Sequence, residues 1–218
     1  MTAPRARLVV FDLDGTLVDS SRDLATAVNR ALQRIAPGTA ELPEDIVRTF
    51  IGSGARVLIT RSVAAAGLTR SVDEVLALFL DEYRRGLLDA TRLYPGTEDA
   101  LDRLRDRPLA VLTNKPGDMS RTILEGLGVA GRFFRIYGAG DVDSRKPDPA
   151  GLKRIAEEAG VDVHAAVMVG DSGIDVLTGR AAGALTAGVT YGFDAESFRD
   201  HPPDLLVRSL TELADRLS

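Results

Sequence analysis

An α/β fold with a parallel, doubly wound sheet and an inserted all-helical domain follows from three features of the sequence. From residue 92 onward, short apolar runs of strand length alternate with segments of helical period. One further apolar run, Leu-Val-Val-Phe at 8–11, stands apart near the N-terminus. Between them, residues 19–91 carry helical periodicity and no convincing strand, so an all-helical block interrupts the α/β pattern. The division expected is an α/β core of 1–18 and 92–218 with a helical domain of 19–91.

Taken in order, the run at 8–11 is mostly β-branched or aromatic and reads as a strand buried on both faces. Ser20 and Ser21 then offer an N-cap, and Leu24, Val28, Leu32 and Ile35 follow at helical spacing until Pro37-Gly38. A short helix fits 43–50, with Pro43 at its start and acids in its first turn. Ile51-Gly52-Ser53-Gly54 breaks the pattern, 55–66 resumes it until Gly67, and another helix spans 72–88. After Tyr94-Pro95-Gly96, a helix over 98–105 leads into a strand at 109–112 that ends on Thr113-Asn114-Lys115-Pro116. A helix over 119–127 closes on Gly128 as a C-cap. A strand at 133–137 precedes a loop, 141–149, stiffened by Pro147 and Pro149 around Lys146. The helix 150–159 stops at Gly160, and a strand at 165–169 ends on Gly170-Asp171-Ser172-Gly173-Ile174-Asp175. A helix through Ala182, strands at 185–189 and 205–207, and a C-terminal helix complete the set.

At 218 residues the chain accommodates one α/β domain and a smaller one, and its 44% hydrophobic and 27% charged content is that of a soluble globular protein. A net charge of −5 argues against a nucleic-acid partner. There is no cysteine, so disulfides, thiolate metal sites and cysteine nucleophiles are excluded. His164 and His201 are the only histidines, which leaves zinc catalysis and a Ser-His-Asp triad poorly supplied. Arg5 and Arg7 precede an apolar run too short for a signal peptide, and no later segment approaches a membrane span. A cytoplasmic chain without a membrane partner is expected; nothing in the sequence sets its oligomeric state.

In open parallel sheets, ligands bind beyond the carboxyl ends of the strands, and there Asp12 and Asp14 follow the first run. Two acids this close repel each other and resist desolvation, and a hard divalent cation such as Mg²⁺ relieves both costs. Gly15 permits a tight turn and close backbone approach. An isolated Asp-x-Asp is also what a solvated turn contains. An EF-hand loop fails, because Leu17 stands where it needs Gly and Asp23 where it needs Glu. Other strand ends and loops add complementary groups: Thr113 and Asn114 after one strand, Lys146 in the proline-stiffened loop, and Asp171 with Asp175 after a third. Converging carboxylates, a hydroxyl, a backbone N–H and an ammonium suit Mg²⁺ together with a phosphoryl group.

With these pieces in this order, the whole chain resembles the haloacid dehalogenase superfamily of phosphohydrolases. Asp12-Leu13-Asp14-Gly15-Thr16 is similar to its first motif, Leu112-Thr113-Asn114 to its second, Lys146-Pro147 to its third, and Gly170 through Asp175 to its fourth. The resemblance implies a Rossmann-like core with a helical cap inserted after the first strand. It implies that Asp12 is the nucleophile and that Asp14 is the general acid and base. Mg²⁺ would be held by Asp12, the backbone carbonyl of Asp14, and Asp171, with Asp175 orienting that shell. Thr113 and Asn114 would bind phosphoryl oxygens, and Lys146 would offset charge on Asp12 and the phosphate. An anionic nucleophile needs this help: at about 4 Å and an effective dielectric of about 20, two unit charges repel by roughly 4 kcal/mol.

Within the superfamily, Asp14 argues against a dehalogenase, which has no alkoxide to protonate. A phosphonatase of the Schiff-base kind needs a lysine in the cap, and the lysines here are Lys115, Lys146 and Lys153, outside 19–91. Phe50-Ile51-Gly52-Ser53-Gly54-Ala55 followed by Arg61 resembles the cap loop of phosphoglycolate phosphatases. The expected substrate is therefore a small phosphorylated metabolite, 2-phosphoglycolate first, with Gly52, Ser53, Gly54, Arg56 and Arg61 as specificity residues. A glycine turn between two helices with solvated arginines reads the same stretch without function. A sugar phosphomutase remains open as an alternative, as does a phospho-acceptor switch without enzymatic turnover.

Overall fold

The computed structural model describes residues 6–218; residues 1–5 of the expected core segment, Arg5 among them, lie outside the described residues. Strands along the chain are β1 (Leu8–Phe11), β2 (Val18–Asp19), β3 (Arg92–Leu93), β4 (Leu109–Pro116), β5 (Arg135–Ala139), β6 (Ala166–Gly170), β7 (Leu185–Val189) and β8 (Leu205–Val207). Before β3 come helices α1 (Ser21–Ile35), α2 (Glu44–Arg48), α3 (Ala55–Ala65) and α4 (Val72–Arg85). After it come α5 (Thr97–Arg103), α6 (Gly117–Gly126), α7 (Ala150–Glu158), α8 (Gly173–Ala182) and α9 (Leu210–Leu217).

One sheet has the order β5-β4-β1-β6-β7-β8, and its neighbours pair in parallel. β1 is central, with Phe11 in register with Val111 on one side and Val169 on the other, so the carboxyl ends of β1, β4 and β6 lie side by side. The alternation within β1 separates the two layers. Val9 and Phe11 pack with Leu101, Ile123 and Leu213 from α5, α6 and α9, whereas Leu8 and Val10 pack with Leu152 and Ile155 from α7. All four β1 side chains are buried, each Val, Leu or Phe contributing about 1.5–3 kcal/mol. Helices therefore cover both faces, as a doubly wound sheet requires.

Helices α1 to α4 pack on one another through Val28, Leu32, Ile59, Val75 and Phe79, in a cluster continuous with the core. Where the chain enters and leaves this helical block, β2 and β3 pair antiparallel, Val18 with Leu93 and Asp19 with Arg92. The sequence pattern missed this ribbon, because two residues per strand are too few to show a period. Beside it, the Asp23 carboxylate accepts hydrogen bonds from the N–H groups of Ala90 and Thr91 and from the Thr91 hydroxyl, tying the two crossings together. No helix of the described residues is long and apolar enough to cross a membrane.

Three boundaries differ informatively. β4 runs to Pro116 rather than stopping at 112, so Thr113, Asn114 and Lys115 are part of the strand. Their polarity hides the strand in the sequence, but their side chains are buried against the site. β5 starts at Arg135, not 133, because Phe133 and Phe134 still turn out of the preceding 3₁₀ segment. α4 ends at Arg85, one residue before Gly86.

Candidate active site

Asp12 is held directly beyond β1, where its N–H donates to the Val169 carbonyl at 2.8 Å. The chain then turns over Leu13, whose carbonyl accepts from the N–H groups of Leu17 and Val18 at 2.9 and 3.1 Å. Gly15 makes that turn at φ +80°, and a Cβ there would lie 2.0 Å from Asp171 Oδ2. Gly192 approaches the same side chain from the opposite loop, where a Cβ would fall 2.1 Å from that of Asp171. Asp171 is thus lodged between two backbones that tolerate no side chain, and its Oδ2 accepts from Phe193 N–H at 2.6 Å.

Lys146 Nζ sits 2.8 Å from Asp12 Oδ1 and 2.6 Å from Asp175 Oδ1, all three buried. The second oxygen of Asp175 accepts from the backbone N–H and hydroxyl of Ser172 at the start of α8. Asp175 is therefore consumed by protein donors. Asp12 Oδ1 is paired with this ammonium, which it shares with Asp175. Ligand oxygens of Asp12, Asp171 and Asp175 lie within 4.8 Å of one another. One ammonium faces three buried carboxylates. Burial first, then Asp175, pushes Asp12 up to about 6, although Lys146 pulls the other way. Burial and the neighbouring Asp175 and Asp12 raise Asp171 well above the usual carboxylate range. Lys146 itself is raised, Asp12 and Asp175 outweighing its desolvation. The excess negative charge of this all-oxygen donor set fits a hard divalent cation held by Asp12 and Asp171.

Asp14 faces the other way. Its Oδ1 accepts from the Ser20 hydroxyl at 2.5 Å, and Lys115 Nζ lies 2.9 and 3.0 Å from its two oxygens. Ser20, which occupies the N-cap position of α1, makes no side-chain cap bond; its hydroxyl serves Asp14 instead. Lys115 is a site residue that the sequence reading did not assign. Its ammonium also donates to the Tyr83 hydroxyl of α4 at 2.6 Å and lies 4.5 Å from the centre of that ring. Burial pushes Tyr83 up to about 12, keeping it neutral, while Asp14 and Tyr83 raise Lys115 against its desolvation. One signal was available: Lys115 stands two residues after Thr113, and residues two apart on a strand share a face.

Thr113 and Asn114 reach the same centre. The Thr113 hydroxyl accepts from Lys115 N–H at 3.2 Å, and Asn114 Nδ2 donates to the carbonyls of Gly52 and Lys146 at 3.2 and 3.1 Å. Gly52 and Gly54 line a cavity with Asp12, Asp14, Thr113 and Lys115, and Ser53 does not. The arginines of the expected specificity set are also elsewhere. Arg56 pairs with exposed Asp73, and Arg61 reaches the Thr49 carbonyl at 3.4 Å. The reason is local: α3, capped by Gly54, turns Ala55 and Leu58 to the cavity wall. Across the site, Arg48 of α2 donates to the Gly192 carbonyl at 3.0 Å and stacks over Phe193, touching the loop that holds Asp171.

Comparison with known proteins agrees with this geometry. The model of the haloacid dehalogenase-like hydrolase family matches residues 9–189. A phosphoglycolate phosphatase of Pseudomonas putida is 40% identical over 95% of this chain and 78% of its own. One from Mesorhizobium japonicum is 38% identical, with 96% of each chain covered. Among solved structures, one described as a predicted phosphoglycolate phosphatase from Haemophilus somnus matches with a TM-score of 0.90 at 30% identity, over 97% of this chain and 98% of that one.

Proposed function

The chain belongs to the haloacid dehalogenase-like hydrolases, and from that premise we propose that it is a Mg²⁺-dependent phosphatase whose preferred substrate is 2-phosphoglycolate, hydrolysed through an aspartyl-phosphate on Asp12. The observation that carries this reading is the division of labour between two acids, Asp12 and Asp14, with one residue between them. Both line the cavity, but Asp12 is paired with Lys146 beside the buried carboxylates, while Asp14 is paired with Ser20 and Lys115.

A carboxylate oxygen of Asp12 attacks phosphorus, and the bond to the ester oxygen breaks. Thr113 and the Asn114 N–H hold phosphoryl oxygens, and Lys146 offsets the charge that builds between nucleophile and phosphoryl group. Asp14 gives a proton to the leaving alkoxide and later takes one from the water that hydrolyses the phospho-enzyme. Asp12, the Asp14 carbonyl and Asp171 would hold Mg²⁺, which when bound would supply further positive charge beside the phosphoryl oxygens. Asp175, its oxygens occupied by Lys146 and Ser172, orients rather than ligates.

Residues 19–91 act in this reading as a cap. The Gly52 carbonyl accepts from Asn114, and the Tyr83 hydroxyl accepts from Lys115, so two cap elements close over the phosphate site and exclude water. The glycolate preference is supported by relatives that bear the phosphoglycolate phosphatase name. A panel of small phosphate monoesters, assayed with Mg²⁺ and with a chelator, tests it. The highest kcat/KM is expected on 2-phosphoglycolate, with loss of turnover under chelation. Hydrolysis of none of the esters, or dependence on a sugar bisphosphate activator, would overturn the proposal.

A further inference from the structure

A substrate carboxylate that enters this cavity must find a positive partner, because an unpaired anion against apolar walls is strongly disfavoured. Beyond Asp14 the walls are Leu24, Ile51, Leu58, Phe79 and Met119. Lys115, held by both Asp14 oxygens and the Tyr83 hydroxyl, is the one cation among the described residues that line the cavity, and neither Arg56 nor Arg61 lines it. The positive charge available to a leaving group in this cavity thus lies on the core strand β4, not on the helices above it.

We propose that Lys115 is the specificity-determining residue, binding the carboxylate of a 2-phosphorylated 2-hydroxy acid while Asp14 serves the adjoining ester oxygen. The inference rests on the phosphatase reading and narrows its substrate class. Its basis is spacing. The Lys115 ammonium stands 2.9 and 3.0 Å from the Asp14 oxygens. In a 2-hydroxy acid, the C2 oxygen and the nearer carboxylate oxygen, when syn, lie about 2.7 Å apart, within the range of one hydrogen bond. A ligand of that span meets both side chains at once. A carboxylate one methylene further away overshoots the ammonium and runs into the apolar wall. Lys115 is also held in place for the task. Its Nζ donates to the Tyr83 hydroxyl at 2.6 Å, and its side chain is only 3% exposed, which leaves it little freedom to follow a longer ligand.

The experiment compares kcat/KM for three esters in the full-length wild-type protein with Mg²⁺: 2-phosphoglycolate, 3-phosphooxypropanoate and ethyl phosphate. The first should exceed the other two, which should resemble each other. In Lys115→Gln, the ratio of 2-phosphoglycolate to ethyl phosphate should fall about ten- to hundredfold, as expected for a lost hydrogen bond to a charged group. A lysine that merely neutralised Asp14 would lower both substrates together and leave that ratio unchanged, which would overturn the assignment. So would wild-type hydrolysis of 3-phosphooxypropanoate as efficient as that of 2-phosphoglycolate, a result that needs no variant to fold. If all three esters are hydrolysed alike, the Lys115 inference fails and the phosphatase stands. If none is hydrolysed, both fail.

Discussion

Replacing Lys146 with methionine removes the one ammonium that faces three buried carboxylates and keeps an unbranched side chain in its place. Its contacts at 2.8 Å to Asp12 and 2.6 Å to Asp175 are each worth roughly 6 kcal/mol of attraction at an effective dielectric of about 20. Most of that offsets the desolvation of the buried groups. The observable loss is therefore the cost of breaking a buried pair, about 3–5 kcal/mol. The deficit must also depend on pH, and the sign is fixed. Asp12 has a folded-state pKa raised from 3.8 to about 6, so its stabilising contribution is fully present below 3.8 and lost as pH rises through 6. Without Lys146, which lowers it, that pKa rises further. The deficit should be large at pH 8, where the carboxylates are charged and bare, and clearly smaller at pH 5, where Asp12 is protonated in the fold. Urea unfolding of wild type and Lys146→Met in a chelator at both pH values measures it, and Mg²⁺ should restore part of the loss at pH 8. A deficit under about 1 kcal/mol at pH 8, or one equal at both pH values, would refute the electrostatic account of the site.

The remaining expectations concern single side chains. Asp14→Asn should lower kcat/KM, which reports the phosphorylation step, about 10²–10⁴-fold more for alkyl phosphates than for p-nitrophenyl phosphate, whose leaving group needs no proton; equal losses of kcat/KM would remove the acid-catalyst role. Arg56→Ala and Arg61→Ala should each change kcat/KM for 2-phosphoglycolate less than about threefold, because neither side chain lines the cavity and each is engaged at the surface. Selective loss on that substrate would return the arginines to the specificity set. Gly15→Ala should lower stability by about 1–3 kcal/mol and weaken Mg²⁺ binding, since φ +80° and a Cβ at 2.0 Å from Asp171 Oδ2 both resist it. A thermal melt repeated across a Mg²⁺ titration detects both effects.

Why some of this was readable in the sequence and some was not follows from how each residue signals itself. The central strand announces itself because all its side chains are apolar and both its faces are buried, and Asp12 and Asp14 stand at its end. Asp171 and Asp175 are legible for the same reason, at the end of β6. Thr113 and Asn114 were found as groups beyond a strand that in fact contains them, because polar residues buried by a site look like a strand's end. Lys115 went unassigned through the same effect, since a lysine after a strand reads as solvated until Asp14 and Tyr83 surround it. Tyr83 could not be found from sequence at all. It lies in a helix whose apolar period it simply continues, and its hydroxyl meets Lys115 only in three dimensions. Arg56 and Arg61 show the reverse effect. Their charge near a glycine turn suggests a ligand, while the phase of α3, capped by Gly54, turns Ala55 and Leu58 to the cavity.

The central claim is that Asp12 carries the phosphoryl group. In the Asp14→Asn protein, p-nitrophenyl phosphate should still phosphorylate the enzyme, whereas hydrolysis of the phospho-enzyme would lack its base, so the intermediate should accumulate. Borohydride reduces an aspartyl-phosphate to homoserine. Quenching this variant during turnover, reducing it and sequencing the peptides by mass spectrometry should therefore find homoserine at position 12 and at no other aspartate. A burst of p-nitrophenolate with Asp12 recovered unmodified, or homoserine at a different position, would contradict the account.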